Sequence, residues 1–310
     1  MIFVSRSIDF NVEALKYNID RGYRKFDFEE SYIKGKKGYS LHRVVWMPES
    51  SPKAIIMIVH DIGDHILRYE NLAYFFTNEG FGVIGIDLRG HGKSDGKRGC
   101  GGYNDLLYDV NELVNQTHKT YPFVPKVLYG NGLGGNLALL YAIKQNDPVQ
   151  GLIVTSPWIR CRHTHNYFFQ SGSSLVTKLF PFLRISNNVN SKYLSHDLAI
   201  HNNYVNDKLV HNKISLRLLK EINVAGSIIL SNRHKCNIPL LLMHGESDKV
   251  TSWHASAEFS RYTSSKTIFK LWDGYYHELH NEFDKEKIFE YILPWLNNIS
   301  YTKRVIYGSF

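Results

Sequence analysis

The sequence predicts an α/β fold with a mostly parallel sheet flanked by helices. Short apolar runs bounded by polar turns, at residues 54–59 and 82–86, have the composition of strands buried on both faces. A segment with helical periodicity, residues 69–78, separates them. A glycine-rich stretch at residues 127–135 then reads as a strand turning sharply into a helix. Alternating strands and helices favour parallel pairing, because parallel strands need a crossover connection.

The later elements continue this alternation. Apolar residues recur at helical spacing between residues 106 and 114, and the strand predicted at residues 127–129 precedes another helix. After a strand at residues 152–155 the pattern stops, and it resumes with strands at residues 239–243 and 267–271 and a closing helix. We therefore expect a core of residues 1–157 and 236–310, interrupted by an inserted helical cap at residues 158–235.

Composition narrows the classes of function. The chain has 310 residues, and its 43% hydrophobic content is enough for a packed core. Its three cysteines are few, odd in number and widely spaced, which fits neither a disulfide framework nor a zinc site. We expect no metal and no cofactor. The oligomeric state stays open.

Charge and hydropathy patterning address partners and location. The net charge is +8, but basic and acidic residues are interspersed, so we expect no nucleic-acid partner and favour contact with an anionic membrane. The apolar segment at residues 168–185, with Lys178 and Arg184, would either pack on the core or meet lipid as a lid. No stretch resembles a signal peptide or a membrane span. The expected location is cytoplasmic, with peripheral membrane association.

Residues 127–135, Val-Leu-Tyr-Gly-Asn-Gly-Leu-Gly-Gly, have the form of a nucleophile elbow. Such a turn needs small neighbours, here supplied by Gly130, Gly134 and Gly135. Its central position ordinarily carries the nucleophile, and here it is Gly132. Glycine adopts the strained turn easily, so the scaffold can persist without the catalytic oxygen.

Two further residues follow strands in the order that a catalytic triad requires. Asp248 follows the strand predicted at 239–243, and His277 follows the strand predicted at 267–271. These are the positions of an orienting carboxylate and a general base. The backbone N–H groups of Leu133 and Ile62 are the expected oxyanion-hole donors.

The loop His60-Asp61-Ile62-Gly63-Asp64-His65 carries an unexpected acid. An oxyanion loop ordinarily has glycine at the position of Asp61, and a carboxylate there would either oppose catalysis or point harmlessly to solvent. Metal ligation by this loop is disfavoured, because the sequence offers no second ligand cluster. Ser94 lies in a literal G-x-S-x-G match, but no helix follows it directly, which predicts a loop-structuring role.

Taken together, these segments resemble the monoacylglycerol lipase and lysophospholipase family of α/β-hydrolases. The resemblance runs from about residue 25 to residue 298 and includes residues 60–65, 68–70, 87–96, 206–211 and 213–215, the elbow, and the Asp248 and His277 loops. It implies an eight-stranded core, a cap over an acyl-chain tunnel, and hydrolysis of monoacylglycerol or lysophospholipid through an acyl-enzyme. The family has serine at the position of Gly132, glycine at that of Asp61, and histidine at that of Asn131.

The sequence leaves open whether the protein is an enzyme. Losing a triad nucleophile typically costs about a million-fold in turnover, which favours a pseudoenzyme that keeps a single-acyl-chain lipid pocket. A second hypothesis is an ester hydrolase in which His277 activates water directly, or an active lipase whose nucleophile was removed by engineering. A third is a non-catalytic interaction protein.

Overall fold

The computed structural model describes residues 26–144, 149–162 and 175–307, without the side chains of Phe26, Leu175 and residues 302–307. The strands of the described residues are β1 Phe26–Lys34, β2 Ser40–Pro48, β3 Ile55–Val59, β4 Gly82–Ile86, β5 Lys126–Asn131, β6 Gly151–Thr155, β7 Arg184–Ser186, β8 Lys213–Ser215, β9 Leu240–Gly245 and β10 Thr267–Trp272. The α-helices are α1 Glu70–Asn78, α2 Tyr103–Thr120, α3 Leu133–Lys144, α4 Leu175–Leu179, α5 Leu198–Asn206, α6 Leu216–Ser231, α7 Trp253–Ser260 and α8 Lys285–Tyr307.

Eight strands form one sheet in the order β1-β2-β4-β3-β5-β6-β9-β10. Strand β2 is antiparallel to both neighbours, whereas β4, β3, β5, β6, β9 and β10 are all parallel. Strands β3 to β6 are buried along their whole length, as the continuous apolar runs predicted. The predicted α/β class with its mostly parallel sheet is confirmed.

Helices cover both faces of this sheet. On one face, α2, α3 and α6 contribute Leu106, Leu137 and Ile222 to a buried apolar cluster. On the other face, α1 and α8 contribute Leu72 and Ile288 to a second cluster. Each central strand supplies side chains to both clusters, because successive side chains of a strand point to opposite faces.

The chain between β6 and β9 combines helices with a small sheet. Strands β7 and β8 pair antiparallel, with Ile185 opposite Ile214. Helix α6 packs on α3, and Gly226 of α6 lies directly against the Ile159 carbonyl in the chain after β6. The insertion predicted at residues 158–235 was expected to be helical, so this two-stranded sheet was not predicted. Strands of three residues are too short for a periodic sequence pattern.

The apolar segment predicted as a lid or packing face is largely exposed where it is described, although Ile185 is partly buried against the core. Phe180 and Phe182 are 59% and 65% exposed, and Val176, Leu179 and Leu183 are also exposed. Phe168 and Phe169, in the same predicted segment, lie outside the described residues. Among the described helices, none has the length and apolar content to cross a bilayer.

Replacing Leu137 with alanine tests the layer between α3 and the sheet. Leu137 is fully buried, so Leu137→Ala should lower the free energy of unfolding by about 2–5 kcal/mol. The matched control is Leu198→Ala, because Leu198 is 76% exposed and its truncation should change stability by less than about 0.5 kcal/mol. Urea unfolding measures both variants. Equal losses would contradict this assignment of the core.

Candidate active site

Loops after four parallel strands meet at one edge of the sheet. Asp61 follows β3, Gly132 follows β5, Asp248 follows β9, and His277 follows β10. Parallel strands present their carboxyl ends on the same side, which is where α/β proteins place their ligand sites. The structure therefore brings the sequence-predicted residues together.

The turn after β5 has the geometry of an elbow. Gly132 has φ of +53°, in the region that favours glycine, and it directly precedes α3. Its carbonyl accepts hydrogen bonds from the backbone N–H groups of Asn136 (3.0 Å) and Trp158 (2.9 Å). A side chain on Gly134 would overlap the carbonyl of Val59, so the helix can approach β3 this closely only with glycine.

The side chain of Asp61 lies in the space above Gly132. A Cβ atom built on Gly132 would overlap the Asp61 carboxylate. Oδ1 of Asp61 accepts a hydrogen bond from the N–H of Leu133 at 2.5 Å, and Oδ2 lies 3.0 Å from Nε2 of His277. Asp61 thus points into the site. One carboxylate contacts both the predicted oxyanion donor and the predicted base.

His277 is fully buried between two carboxylates. Its Nδ1 lies 2.8 Å from Oδ2 of Asp248, and its Nε2 faces Asp61. Burial alone would lower the pKa of His277, but the charges and hydrogen bonds of Asp248 and Asp61 outweigh it and raise the pKa well above 6.5. The two carboxylates that face the ring nitrogens favour the imidazolium, in which both nitrogens act as donors.

Asp248 is held in place by its own loop. The backbone N–H groups of Val250 (2.6 Å) and Thr251 (3.0 Å) donate to Oδ1, and His244 lies 3.0 Å from Oδ2. Burial would raise the pKa of Asp248, but His277 and His244 together lower it below its ordinary range. This carboxylate is therefore ionised and fixed in orientation.

His60 supports the backbone of the Asp61 loop. Its Nε2 accepts from the N–H of Leu88 (2.9 Å), so Nδ1 carries the proton and donates to the Asp61 carbonyl (2.6 Å). The adjacent Ile62 is buried. Within the described residues, the Ile62 N–H donates to no acceptor.

An ion-pair network that the sequence analysis missed joins the loops that carry Asp61 and His277. Arg68 donates from Nη1 to Asp64 (2.8 Å), and from Nη1 (2.8 Å) and Nη2 (2.6 Å) to the two carboxylate oxygens of Glu278. Burial would raise the pKa of Glu278, but Arg68 lowers it to about 2. One feature of the sequence pointed to this network, namely the positions of its residues. Glu278 directly follows His277, and Arg68 belongs to a segment that carries the resemblance.

Ser94 and the candidate metal ligands in the loop after β3 make contacts that fit neither a nucleophile nor a shared metal site. Oγ of Ser94 donates to the Asp87 carbonyl (2.6 Å) and accepts from the N–H of His42 (2.8 Å), which ties a loop together. The candidate metal-binding side chains do not share a centre in the described structure: Asp64 pairs with Arg68, whereas His65 contacts Asp207 at 2.7 Å.

The family profile for serine aminopeptidase S33 hydrolases matches residues 50–284. An uncharacterized abhydrolase domain-containing protein of Dictyostelium discoideum is 39% identical over 256 residues, which are 81% of this chain. The match spans only 27% of that protein's length. Human monoglyceride lipase is 28% identical over 260 residues, covering 81% of this chain and 85% of the human protein.

Solved structures show the same fold. A soluble variant of monoglyceride lipase from Saccharomyces cerevisiae, in complex with a substrate analog, has a TM-score of 0.78 at 21% identity, covering 89% of this chain and 96% of the yeast chain. Monoacylglycerol lipase of Paleococcus ferrophilus has a TM-score of 0.75 at 24% identity, covering 88% and 99% of the two chains. The α/β-hydrolase fold is thereby established.

The pKa of His277 gives a testable pH dependence. A raised pKa in the folded state stabilises the protein fully below about pH 6.5, and this stabilisation is lost as pH rises through the folded-state value. Asp61→Asn removes one of the two facing charges, so His277 should titrate at lower pH in this variant. Imidazole nitrogen NMR measures the titration.

The control for this titration is Asp273→Asn, which alters an exposed carboxylate after β10 and should leave the pKa of His277 unchanged. A wild-type His277 that titrates near its ordinary value would contradict the ion pair with Asp61.

Proposed function

Because the chain belongs to the serine aminopeptidase S33 family of α/β-hydrolases, we propose that it is a monoglyceride lipase-like protein that binds a single-chain lipid without serine-based ester hydrolysis. One observation supports the absence of serine-based ester hydrolysis. The Asp61 carboxylate lies where a side chain at position 132 would lie, and it also contacts the Leu133 N–H and His277. Nucleophile, oxyanion donor and base are thus all unavailable to an ester.

The proposed binding of a single-chain lipid rests on similarity to monoglyceride lipases and on exposed apolar residues. Monoglyceride lipases of human, mouse and rat are each 28% identical to this chain over most of its length. The exposed apolar residues between Val176 and Leu183, with Lys178 among them and Arg184 directly after, suit contact with an anionic lipid surface. Monoacylglycerol or lysophospholipid is accordingly the proposed ligand class.

Direct activation of water by His277 is disfavoured as an ester-cleaving route. The space that such a water would need above Gly132 contains the Asp61 carboxylate. Asp248 and Asp61 also raise the pKa of His277 and favour its protonated form, whose Nε2 cannot accept a proton from water. A base must be unprotonated before it can act.

Restoring the serine requires removing the aspartate. Gly132→Ser alone places a side chain against Asp61, so it should react weakly or not at all with a fluorophosphonate. The double variant Asp61→Gly, Gly132→Ser should label and should hydrolyse 4-nitrophenyl butyrate and monoacylglycerol. Its gain over wild type could reach about a million-fold, the usual contribution of a triad nucleophile.

Adding His277→Ala to the double variant provides the control, because labelling through the triad should then disappear. Strong labelling of Gly132→Ser alone would show that Asp61 does not block the site. A double variant that folds but does not react would show that the triad geometry itself has been lost.

Binding without turnover is the complementary expectation. Monoacylglycerol at about a hundred times its Kd should raise the free energy of unfolding by about 2.7 kcal/mol, measurable as a higher Tm. Glycerol, which lacks the acyl chain, is the matched control and should give no shift. If monoacylglycerol and lysophospholipid neither bind nor change the Tm, the proposed lipid site is wrong.

A further inference from the structure

We propose that Asp61 is itself a nucleophile, and that this site hydrolyses epoxides through an ester formed between Asp61 and the substrate carbon. The proposal goes beyond the proposed function, because lipid binding and failure to cleave esters could both hold without it. It rests on where the two carboxylate oxygens lie and on which groups face them.

The geometry gives the two oxygens of Asp61 different roles. Oδ1 accepts the hydrogen bond of the Leu133 N–H, the position at which an oxyanion is stabilised. Oδ2 lies 3.0 Å from Nε2 of His277, the distance at which a triad nucleophile contacts its base. Carboxylates form covalent intermediates in several enzyme classes. Asp61, which belongs to the loop after β3, therefore makes the contacts that the missing serine would make.

The Asp61 side chain is more exposed to solvent than those of His277 and Asp248. The Asp61 side chain is 9% exposed, whereas the side chains of His277 and Asp248 are fully buried. A substrate that enters this edge of the sheet would meet the Asp61 carboxylate first. His60 and the Leu133 N–H hold the loop and the carboxylate in one orientation. Such preorganisation favours reaction at a defined atom.

The nucleophile restricts the class of electrophile. Carboxylate attack on an ester would yield a mixed anhydride, which is less stable than the ester, and would have to expel an alkoxide. Attack on an epoxide carbon yields an ester and releases ring strain. The oxygen that leaves the attacked carbon stays attached to the substrate, so no separate leaving group has to depart. An epoxide is therefore the substrate class that this constellation fits.

In the first step, an electron pair on Oδ2 of Asp61 forms a bond to a ring carbon, and the carbon–oxygen bond of the ring breaks. The ring oxygen leaves on the side of the carbon opposite Oδ2 and takes a proton from water. The hydroxide so formed takes the proton from Nε2 of His277, which the ion pair provides in the resting state. The products are a hydroxyalkyl ester of Asp61 and a neutral imidazole. Because Asp61 has lost its charge, the pKa of His277 falls, and the ring can now act as a base.

In the second step, His277 accepts a proton from water, and the resulting hydroxide attacks Cγ of Asp61. Negative charge develops on Oδ1, which the Leu133 N–H stabilises. The bond from Cγ to Oδ2 then breaks, and Oδ2 departs with the substrate carbon as an alkoxide, which takes the proton of the Asp61 carboxylic acid. The net reaction adds one water to an epoxide to give a diol. The carboxylate and the imidazolium are regenerated.

Tracing oxygen through a single turnover tests this scheme in the wild-type protein. Excess protein is mixed with terminal epoxydodecane in water labelled with heavy oxygen. The diol of the first turnover should contain ordinary oxygen only, and the label should enter the peptide that contains Asp61. Heavy oxygen in the first-turnover diol, or no diol at all, would overturn the proposal.

Two variants test the intermediate and the nucleophile. His277→Gln should accumulate a protein whose mass has increased by one epoxide, located at Asp61, because the second step lacks its base. Asp61→Asn should lose both the adduct and diol formation. Asp273→Asn, the matched exposed control, should behave as wild type. An adduct at another residue would overturn the assignment of Asp61.

A short probe separates this inference from the proposed lipid site. Epoxybutane needs no acyl pocket, so its conversion should continue even if monoacylglycerol does not bind. If neither epoxide is converted by wild type and His277→Gln gains no mass with either probe, Asp61 is not a nucleophile toward epoxides. That outcome would not affect the proposed lipid site, which is tested by lipid binding on the same preparation.

Discussion

The arrangement of the site depends on one carboxylate that has two partners. Asp61 reaches from the loop after β3 to the N–H of Leu133 at the start of α3 and to His277 after β10. It thereby links three segments that are distant in sequence but adjacent at the carboxyl edge of the sheet. Glycine at position 132 is the steric condition for this link, since any Cβ there would overlap the carboxylate. The unusual residues at 61 and 132 are therefore a matched pair.

Electrostatics makes this arrangement self-consistent. A buried imidazolium would be costly alone, and so would two buried carboxylates facing each other. With Asp248 at 2.8 Å and Asp61 at 3.0 Å from its ring nitrogens, His277 satisfies both acids and both of its own donors. The second buried network, from Asp64 through Arg68 to Glu278, ties the same loops together. The site is thus preorganised in its resting state, and a serine-type mechanism would have to dismantle it.

Sequence patterns predicted the sheet well, because its central strands are buried on both faces and read as continuous apolar runs. The runs at 54–59, 82–86 and 152–155 became β3, β4 and β6 to within one residue. The pairing of β7 with β8 was missed, since strands this short carry no periodicity. The loop after β3 was identified as important, but two outcomes for Asp61 stayed open. Asp64, Arg68 and Glu278 were not assigned a role.

The sequence by itself determined the fold class, the order of the strands along the chain, and which residues follow the strands that end at the functional edge. It did so because burial and backbone geometry impose local patterns that can be read from neighbouring residues. Only the tertiary structure decided the direction of the Asp61 side chain. That direction depends on the space above Gly132, on the Leu133 N–H 72 positions away in the chain, and on His277 216 positions away. No local pattern encodes such distances.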